Sequence, residues 1–304
     1  MIVMEEVSKA FRVARRNAGF GNAVRALFHK EYETIRALDR VSFAVEEGEI
    51  VGYLGPNGAG KSSTIKVMSG ILTPDSGRCL INGRVPWKDR VNHVAEIGVV
   101  FGQRSQLWWD VPVADSFQLL RDIYRVPEQD FRQNLNRLAE LLDLGTILQT
   151  PARQLSLGQR MRCEIAASLL HNPKILFLDE PTIGLDAVSK MAVRSFIREI
   201  NRERGVTVIL TTHDMQDIEA LASRILLIGK GHILLDGGLD TLTKRYGAQK
   251  KLTVAFSGGA YQPLEGMAVL EQGPGRLTLA VDGERLPVPQ AAWRLPTCRW
   301  AAPA

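Results

Sequence analysis

Short apolar runs rich in β-branched residues recur along the chain, each followed by turn or polar residues and then by a helix-like stretch. Residues 50–54, 97–101, 175–178, 206–211 and 225–228 are largely apolar at successive positions rather than at alternate ones. A strand that is apolar on both faces is covered on both faces, so these runs predict an α/β fold with a buried, mostly parallel sheet. Such a sheet carries its ligand loops at the carboxyl ends of its strands.

Between residues 113 and 142 the period changes. Phe117, Leu119, Leu120 and Ile123, then Leu135, Leu138, Leu141 and Leu142, recur at helical spacing and predict a helical insert over about 104–172. Residues 12–33 fit neither pattern. Arg12, Arg15, Arg16, Arg25 and Lys30 make the segment basic, Gly19 and Gly21 interrupt it, and Val24, Leu27 and Phe28 form a short helical stripe. It reads either as a solvated loop with a short helix or as a basic element facing lipid headgroups or membrane subunits. Beyond a main domain of 1–245, alternating segments at 252–256 and 276–281, separated by Gly and Pro, predict a small β-rich appendage over 246–304.

Composition narrows the class without choosing a function. Of 304 residues, 45% are hydrophobic and 23% charged, which argues against disordered and fibrous chains. No apolar run approaches the roughly 18 to 20 residues that span a bilayer, and residues 1–16 are charged where a secretory signal is apolar, so any membrane connection is expected through partners. Cys79, Cys163 and Cys298 lie far apart without metal-ligand spacing and read as buried thiols. The net charge of +5 suits phosphate ligands, acidic headgroups or nucleic acid alike.

Gly55-Pro56-Asn57-Gly58-Ala59-Gly60-Lys61-Ser62 fits G-x-x-x-x-G-K-[ST], directly after the run 50–54 and before a helix expected over 63–68. The glycines let backbone N–H groups turn inward around phosphates, and the helix N-terminus at Ser62 and Ser63 adds a favourable dipole. Lys61 is expected at the β- and γ-phosphates, and the Ser62 hydroxyl at the magnesium bridging them. The run 175–178 ends in Asp179 and Glu180, two carboxylates at the sheet edge where this loop opens. An acidic pair after a strand is often no more than a helix cap. Beside a phosphate loop, Asp179 becomes the expected magnesium partner and Glu180 the general base for an attacking water.

At Leu155-Ser156-Leu157-Gly158-Gln159 the chain resembles the signature motif of the ABC (ATP-binding cassette) family, usually Leu-Ser-Gly-Gly-Gln, with Leu157 where the first glycine stands. The other family elements follow in order: Gln103 resembles the Q-loop glutamine, which senses metal and water, Gly184-Leu185-Asp186 the D-loop, and His213 the switch histidine. The resemblance covers about 3–238 and implies a P-loop NTPase core with an antiparallel β subdomain, a helical insert and ATP and Mg2+ as cofactors. It also implies a dimer of two copies, in which Ser156, Gly158 and Gln159 of one copy close over the ATP held by the other's phosphate loop, with Asp186 at the same junction. Family members stack adenine on an upstream aromatic; Phe11, after Val7-Ser8-Lys9, and Tyr32, at the usual spacing before Ala37-Leu38, compete here, and Phe11 is preferred.

The resemblance implies an ATPase at the cytoplasmic face of a membrane, working with separately encoded permease subunits and without nucleic acid. Trp108 and Trp109, close behind Gln103, stand where such subunits dock. The N-terminal insert and single cassette look more like ABC-2 export ATPases than solute importers. The alternatives are a soluble ABC ATPase acting as a scaffold or on ribosomes or DNA, and an unrelated P-loop ATPase; the lack of a second cassette or long coiled coil stands against the ribosome and DNA types and the signature motif against the unrelated ATPase, while the scaffold stays open.

Overall fold

The computed structural model describes residues 1–14, 32–102, 104–246, 249–255, 267–273 and 276–282. Two compact units are present, Met1–Asp236 and Gly237–Ala304. The first begins with β1 (Ile2–Ala14), β2 (Tyr32–Val45), β3 (Ile50–Leu54), α1 (Lys61–Met68), β4 (Ser76–Ile81), α2 (Arg90–Glu96) and β5 (Ile97–Phe101). It continues through α3 (Val113–Tyr124), α4 (Glu128–Leu141), a short 3-10 turn at Ala152–Gln154, α5 (Leu157–Leu169), β6 (Ile175–Asp179) and α6 (Ala187–Arg204). It closes with β7 (Thr207–Thr212), α7 (Met215–Leu221), β8 (Arg224–Gly229) and β9 (His232–Gly237).

The five apolar runs are the five parallel strands of a six-stranded sheet ordered β5-β6-β7-β3-β8-β9. β9 joins the edge as the hairpin partner of β8 through Lys230 and Gly231, both at positive φ, the conformation of a tight two-residue turn. Successive side chains leave a strand on opposite faces, and here both faces are buried. Leu176, Leu178, Val208 and Leu210 pack in one core with Phe117, Leu138, Ile165 and Phe196 of the helices. Phe177, Ile209, Val51 and Tyr53 pack in the other with Ile65 of α1 and with Ile2, Met4 and Val41. Those last three belong to a second, antiparallel sheet ordered β2-β1-β4.

Arg12, Tyr32 and Glu33 at the ends of the basic segment pair within β1 and β2, where Arg12 faces Thr34 and Glu33 faces Val13. The stripe Val24, Leu27 and Phe28 lies outside the described residues. The two stripes at 113–142 lie on two helices, separated because Pro127 follows an Arg125 at φ 54° that ends α3 in the left-handed region. Cys79 and Cys163 are buried free thiols whose pKa burial pushes up to about 12, and Cys298 lies outside the described residues.

The second unit carries α8 (Leu239–Tyr246) and an antiparallel sheet of β10 (Gln249–Ala255), β11 (Met267–Gly273) and β12 (Arg276–Asp282), ordered β10-β12-β11. The alternation at 252–256 and 276–281 marks β10 and β12. β11 escapes the sequence pattern because Val269 and Leu270 are apolar in succession, and both are exposed.

Candidate functional site

Parallel pairing brings four strand ends to one edge. Leu54 is level with Thr212, Asp179 with Thr211, and Phe101 with Asp179. The residues that follow those ends, Gly55, Gly102, Glu180 and His213, therefore start from the same side of the sheet, although they are spread over about half of the chain.

The phosphate loop is held by its own backbone. Ala59 N–H donates to Pro56 O at 3.2 Å, and Thr64 N–H donates to Gly60 O at 2.9 Å as α1 begins. Gly60 has φ +114°, and a Cβ there would lie 2.5 Å from Ala37 O, so both backbone conformation and space require glycine. α1 starts at Lys61, two residues before the helix expected from the sequence, which places the Lys61, Ser62 and Ser63 N–H groups in its first turn. Lys61 is buried, and its ammonium donates to Gly55 O at 2.7 Å and Pro56 O at 3.2 Å. Pro56, Asn57 and Gly58 form the exposed crest of the loop.

Asp179 is the last residue of β6, not the first beyond it, because its backbone still pairs with β5 and β7. Its Oδ1 accepts the Ser62 hydroxyl at 3.2 Å and the Thr211 hydroxyl at 2.6 Å. The Ser62 hydroxyl and the Asp179 carboxylate thus offer hard oxygen donors at one point, a set that fits magnesium. Glu180 turns sharply, with φ 54°, and its N–H donates to Thr211 Oγ1 at 3.1 Å. That turn sends its carboxylate back toward the loop: Oε1 lies 3.8 Å from Lys61 Nζ and 3.4 Å from His213 Nδ1. The His213 ring is mostly exposed.

The signature-like segment is a helix start. Ser156 Oγ accepts the Gln159 N–H at 3.2 Å while Gln159 Oε1 accepts the Ser156 N–H at 2.9 Å, a reciprocal cap for α5. α5 begins at Leu157, four residues before the helix that the residues after the signature-like motif predict over 161–170. Gly158 is buried against α6: a Cβ there would meet Ser189 Oγ at 2.3 Å. Ser189 is itself held by Asp186, whose Oδ1 accepts its N–H at 2.9 Å and whose Oδ2 accepts its hydroxyl at 2.9 Å. These hydrogen bonds hold the Asp186 carboxyl below the usual carboxylate range. Ser156, Gly158 and Gln159 therefore lie next to Asp186, and among the described residues no hydrogen bond joins them to Lys61, Ser62, Asp179, Glu180 or His213.

Gln103 lies outside the described residues; Gly102, just before it, donates its N–H to Asp179 O at 2.9 Å. Phe11 and Tyr32 both stand on the β1–β2 ribbon, Phe11 half-buried beneath Lys9 Nζ at 6.0 Å and Tyr32 exposed. Trp108 and Trp109 are both exposed, at 41% and 52%, with the Arg160 guanidinium 6.0 Å above the Trp109 ring.

Sequence reasoning missed three groups. Thr211 orients Asp179 and Glu180, but its place at the end of an apolar run looks like ordinary strand. Glu164 on α5 is buried; its carboxylate accepts the Ser105 hydroxyl and the Gln106 N–H at 3.1 Å, and its carbonyl accepts Gln106 Nε2 at 2.9 Å. Asp217, four residues after His213, is wholly buried. The only signal in either case is a carboxylate on the inner face of an amphipathic helix.

The family model of the ABC transporter matches residues 38–183. A probable multidrug ABC transporter ATP-binding protein, YbhF of Escherichia coli, is 37% identical over 215 residues, 70% of this chain and 36% of that protein. This chain thus spans little more than a third of the length of that relative. A probable sulfate/thiosulfate import ATP-binding protein, CysA of Chlorella vulgaris, is 34% identical over 70% of this chain and 90% of its own. Among solved structures, the ATP-binding cassette MJ0796, a dimer in a post-hydrolysis state bound to ADP and Pi, is 25% identical with a TM-score of 0.65, covering 79% of this chain and 99% of that one.

Proposed function

Because the chain belongs to the ABC transporter ATP-binding family, whose cassettes bind ATP with magnesium and hydrolyse it, we propose that it powers export through separate membrane subunits, at their cytoplasmic face, by closing on a second copy around two ATP molecules. The observation that carries this reading is the meeting of Lys61, Ser62, Asp179, Glu180 and His213 at one sheet edge, while Ser156 and Gly158 lie beside Asp186 with no hydrogen bond to that group among the described residues. A site divided in this way is completed by a twin, and the MJ0796 cassette is a dimer.

In this scheme the Gly55–Ser62 loop and the first turn of α1 bind the phosphates, with Lys61 balancing their charge. Ser62 and Asp179 would hold magnesium, which supplies charge neutralisation at the phosphates when bound. Glu180 accepts a proton from the attacking water, and His213, 3.4 Å from Glu180 Oε1, fixes that carboxylate's orientation. Ser156 and the α5 N-terminus face the phosphates of the partner copy, where a helix dipole favours negative charge. The exposed pair Trp108 and Trp109 offers the apolar surface for a membrane subunit. Export as the direction rests on the basic segment at 12–33, and the multidrug naming of YbhF agrees with it.

Glu180→Gln tests the reading. ATPase turnover should fall by about 10²- to 10⁴-fold, while ATP drives the variant into a dimer that persists in size-exclusion chromatography. Undiminished turnover, or no ATP-dependent dimer, overturns it.

A further inference from the structure

Asp217 has no solvent exposure, and three segments end on its carboxylate. Thr182, two residues beyond Glu180, donates its hydroxyl to Oδ2. Thr212, immediately before His213, donates its hydroxyl to the same oxygen at 3.2 Å. Arg194, two turns into the helix that Asp186 caps, donates Nε–H to Oδ1 at 2.7 Å and pairs with it through Nη2.

Each tether reaches onward into the site. Thr212 Oγ1, while donating to Asp217, accepts the Asp214 N–H at 2.9 Å, so the backbone on both sides of His213 is fixed through one hydroxyl. Thr182 O accepts the Leu185 N–H at 3.3 Å, and Glu180 O accepts the Ile183 N–H at 3.3 Å, so the turn from Glu180 to Asp186 closes around Thr182. Asp214 accepts the Lys190 ammonium at 2.8 Å, a second link from the helix behind Asp186 to the segment behind His213. A buried carboxylate is costly unless every acceptor site is used, and here both oxygens are engaged. The arrangement ties the Glu180 turn, the His213 loop and the Asp186 helix to a single anion.

We propose that Asp217 is a positioning residue for ATP hydrolysis, holding Glu180 and His213 in register with the Asp186 loop, so that the groups facing a copy's own ATP and the loop facing the second copy move as one unit. The proposal rests on the roles assigned above to Glu180, His213 and Asp186. Because a carboxylate joined to two hydroxyls and a guanidinium acts through orientation, its loss should act on turnover and spare ATP affinity.

The experiment uses the full chain and its own ATPase activity, with Thr182→Val and Thr212→Val, which keep side-chain shape and leave the Asp217–Arg194 pair intact. Each should lower kcat about tenfold, the scale of one hydrogen bond to a charged group, with KM for ATP within about twofold. Thr212→Ser, which restores the hydroxyl, should return kcat to within about twofold of the parent protein. The double valine variant should lose less than the product of the single losses, since both hydroxyls serve one oxygen. Unchanged kcat in both valine variants overturns the proposal, as does a loss that Thr212→Ser fails to restore, or a rise in KM equal to the fall in kcat. If a valine variant does not fold, Thr182→Ser and Arg194→Lys are read in its place: the serine should match the parent and the lysine should lose kcat, and the reverse pattern overturns the proposal. Glu180→Gln, run alongside, separates the two ideas. Full turnover in that variant defeats the assigned roles, whereas its inactivity beside fully active threonine variants defeats only the role of Asp217.

Discussion

Thr211 Oγ1 donates to Asp179 Oδ1 at 2.6 Å and accepts the Glu180 N–H at 3.1 Å, so one hydroxyl on β7 holds the Asp179 carboxylate and the backbone at Glu180. The pairing register makes this possible, because Thr211 and Asp179 are directly opposite each other across two parallel strands. Thr211→Val keeps the shape of a buried β-strand residue and removes both bonds. ATP turnover should fall by on the order of tenfold to a hundredfold, the value of a hydrogen bond to a charged group. A steady-state ATPase assay checks this, with thermal unfolding showing that the fold persists.

The Ser156 side chain caps α5, and the proposed dimer would give it a second duty that one substitution separates. Ser156→Ala deletes the hydroxyl that receives Gln159 N–H at the start of α5. Loss of such a cap costs about 1 kcal/mol of stability, visible as a small fall in the unfolding midpoint. If the hydroxyl also meets phosphate across a dimer, turnover should fall far more than that instability explains, and ATP-dependent dimerisation should weaken. A variant with slightly lower stability and unaltered turnover would leave Ser156 as a cap alone.

The parallel strands were legible because burial on both faces leaves a continuous apolar run, and 50–54 and 97–101 coincide with β3 and β5. The phosphate loop was legible because backbone geometry there demands glycine at Gly60 whatever the rest of the fold does. The helix starts were read late at Lys61 and Leu157, since apolar periodicity begins only where a helix first meets the core, after its cap. Thr211, Glu164 and Asp217 could not be read at all. Their roles depend on which strand lies beside which and on which helix face turns inward, and pairing across more than thirty residues leaves no local trace.

Burial holds the Glu164 carboxyl above its usual range, against the opposing pull of the Ser105 hydroxyl and the Gln106 N–H. A carboxyl whose pKa is raised by folding contributes most below its unfolded value, and that contribution is lost as pH rises through the folded one. Glu164→Gln removes the titration while keeping an acceptor for Gln106 N–H. The unfolding midpoint of the variant, relative to the parent protein, should therefore climb as pH rises from about 4.5. Parallel curves for the two proteins between pH 4.5 and 8 would contradict a strained carboxylate at this position.

His171 sets the opposite trend. Its ring stacks on Tyr124 with centroids 3.9 Å apart and planes 5° from parallel, and its Nε2 lies 2.9 Å from Ile97 O at the start of β5. Burial lowers its pKa from 6.5 to about 4, outweighing the bond to Ile97 O. The folded chain thus keeps a neutral ring where the unfolded chain takes up a proton. The ring's contribution is complete above pH 6.5 and is lost as pH falls toward 4, a change of roughly 3 kcal/mol when complete. His171→Phe keeps the stack on Tyr124 and removes the titration, at the cost of the bond to Ile97 O. Denaturant unfolding at pH 7.5 and 5 should show the parent protein losing more stability than the variant over that interval. Equal losses would mean that the ring is open enough to water to take its proton in the folded state.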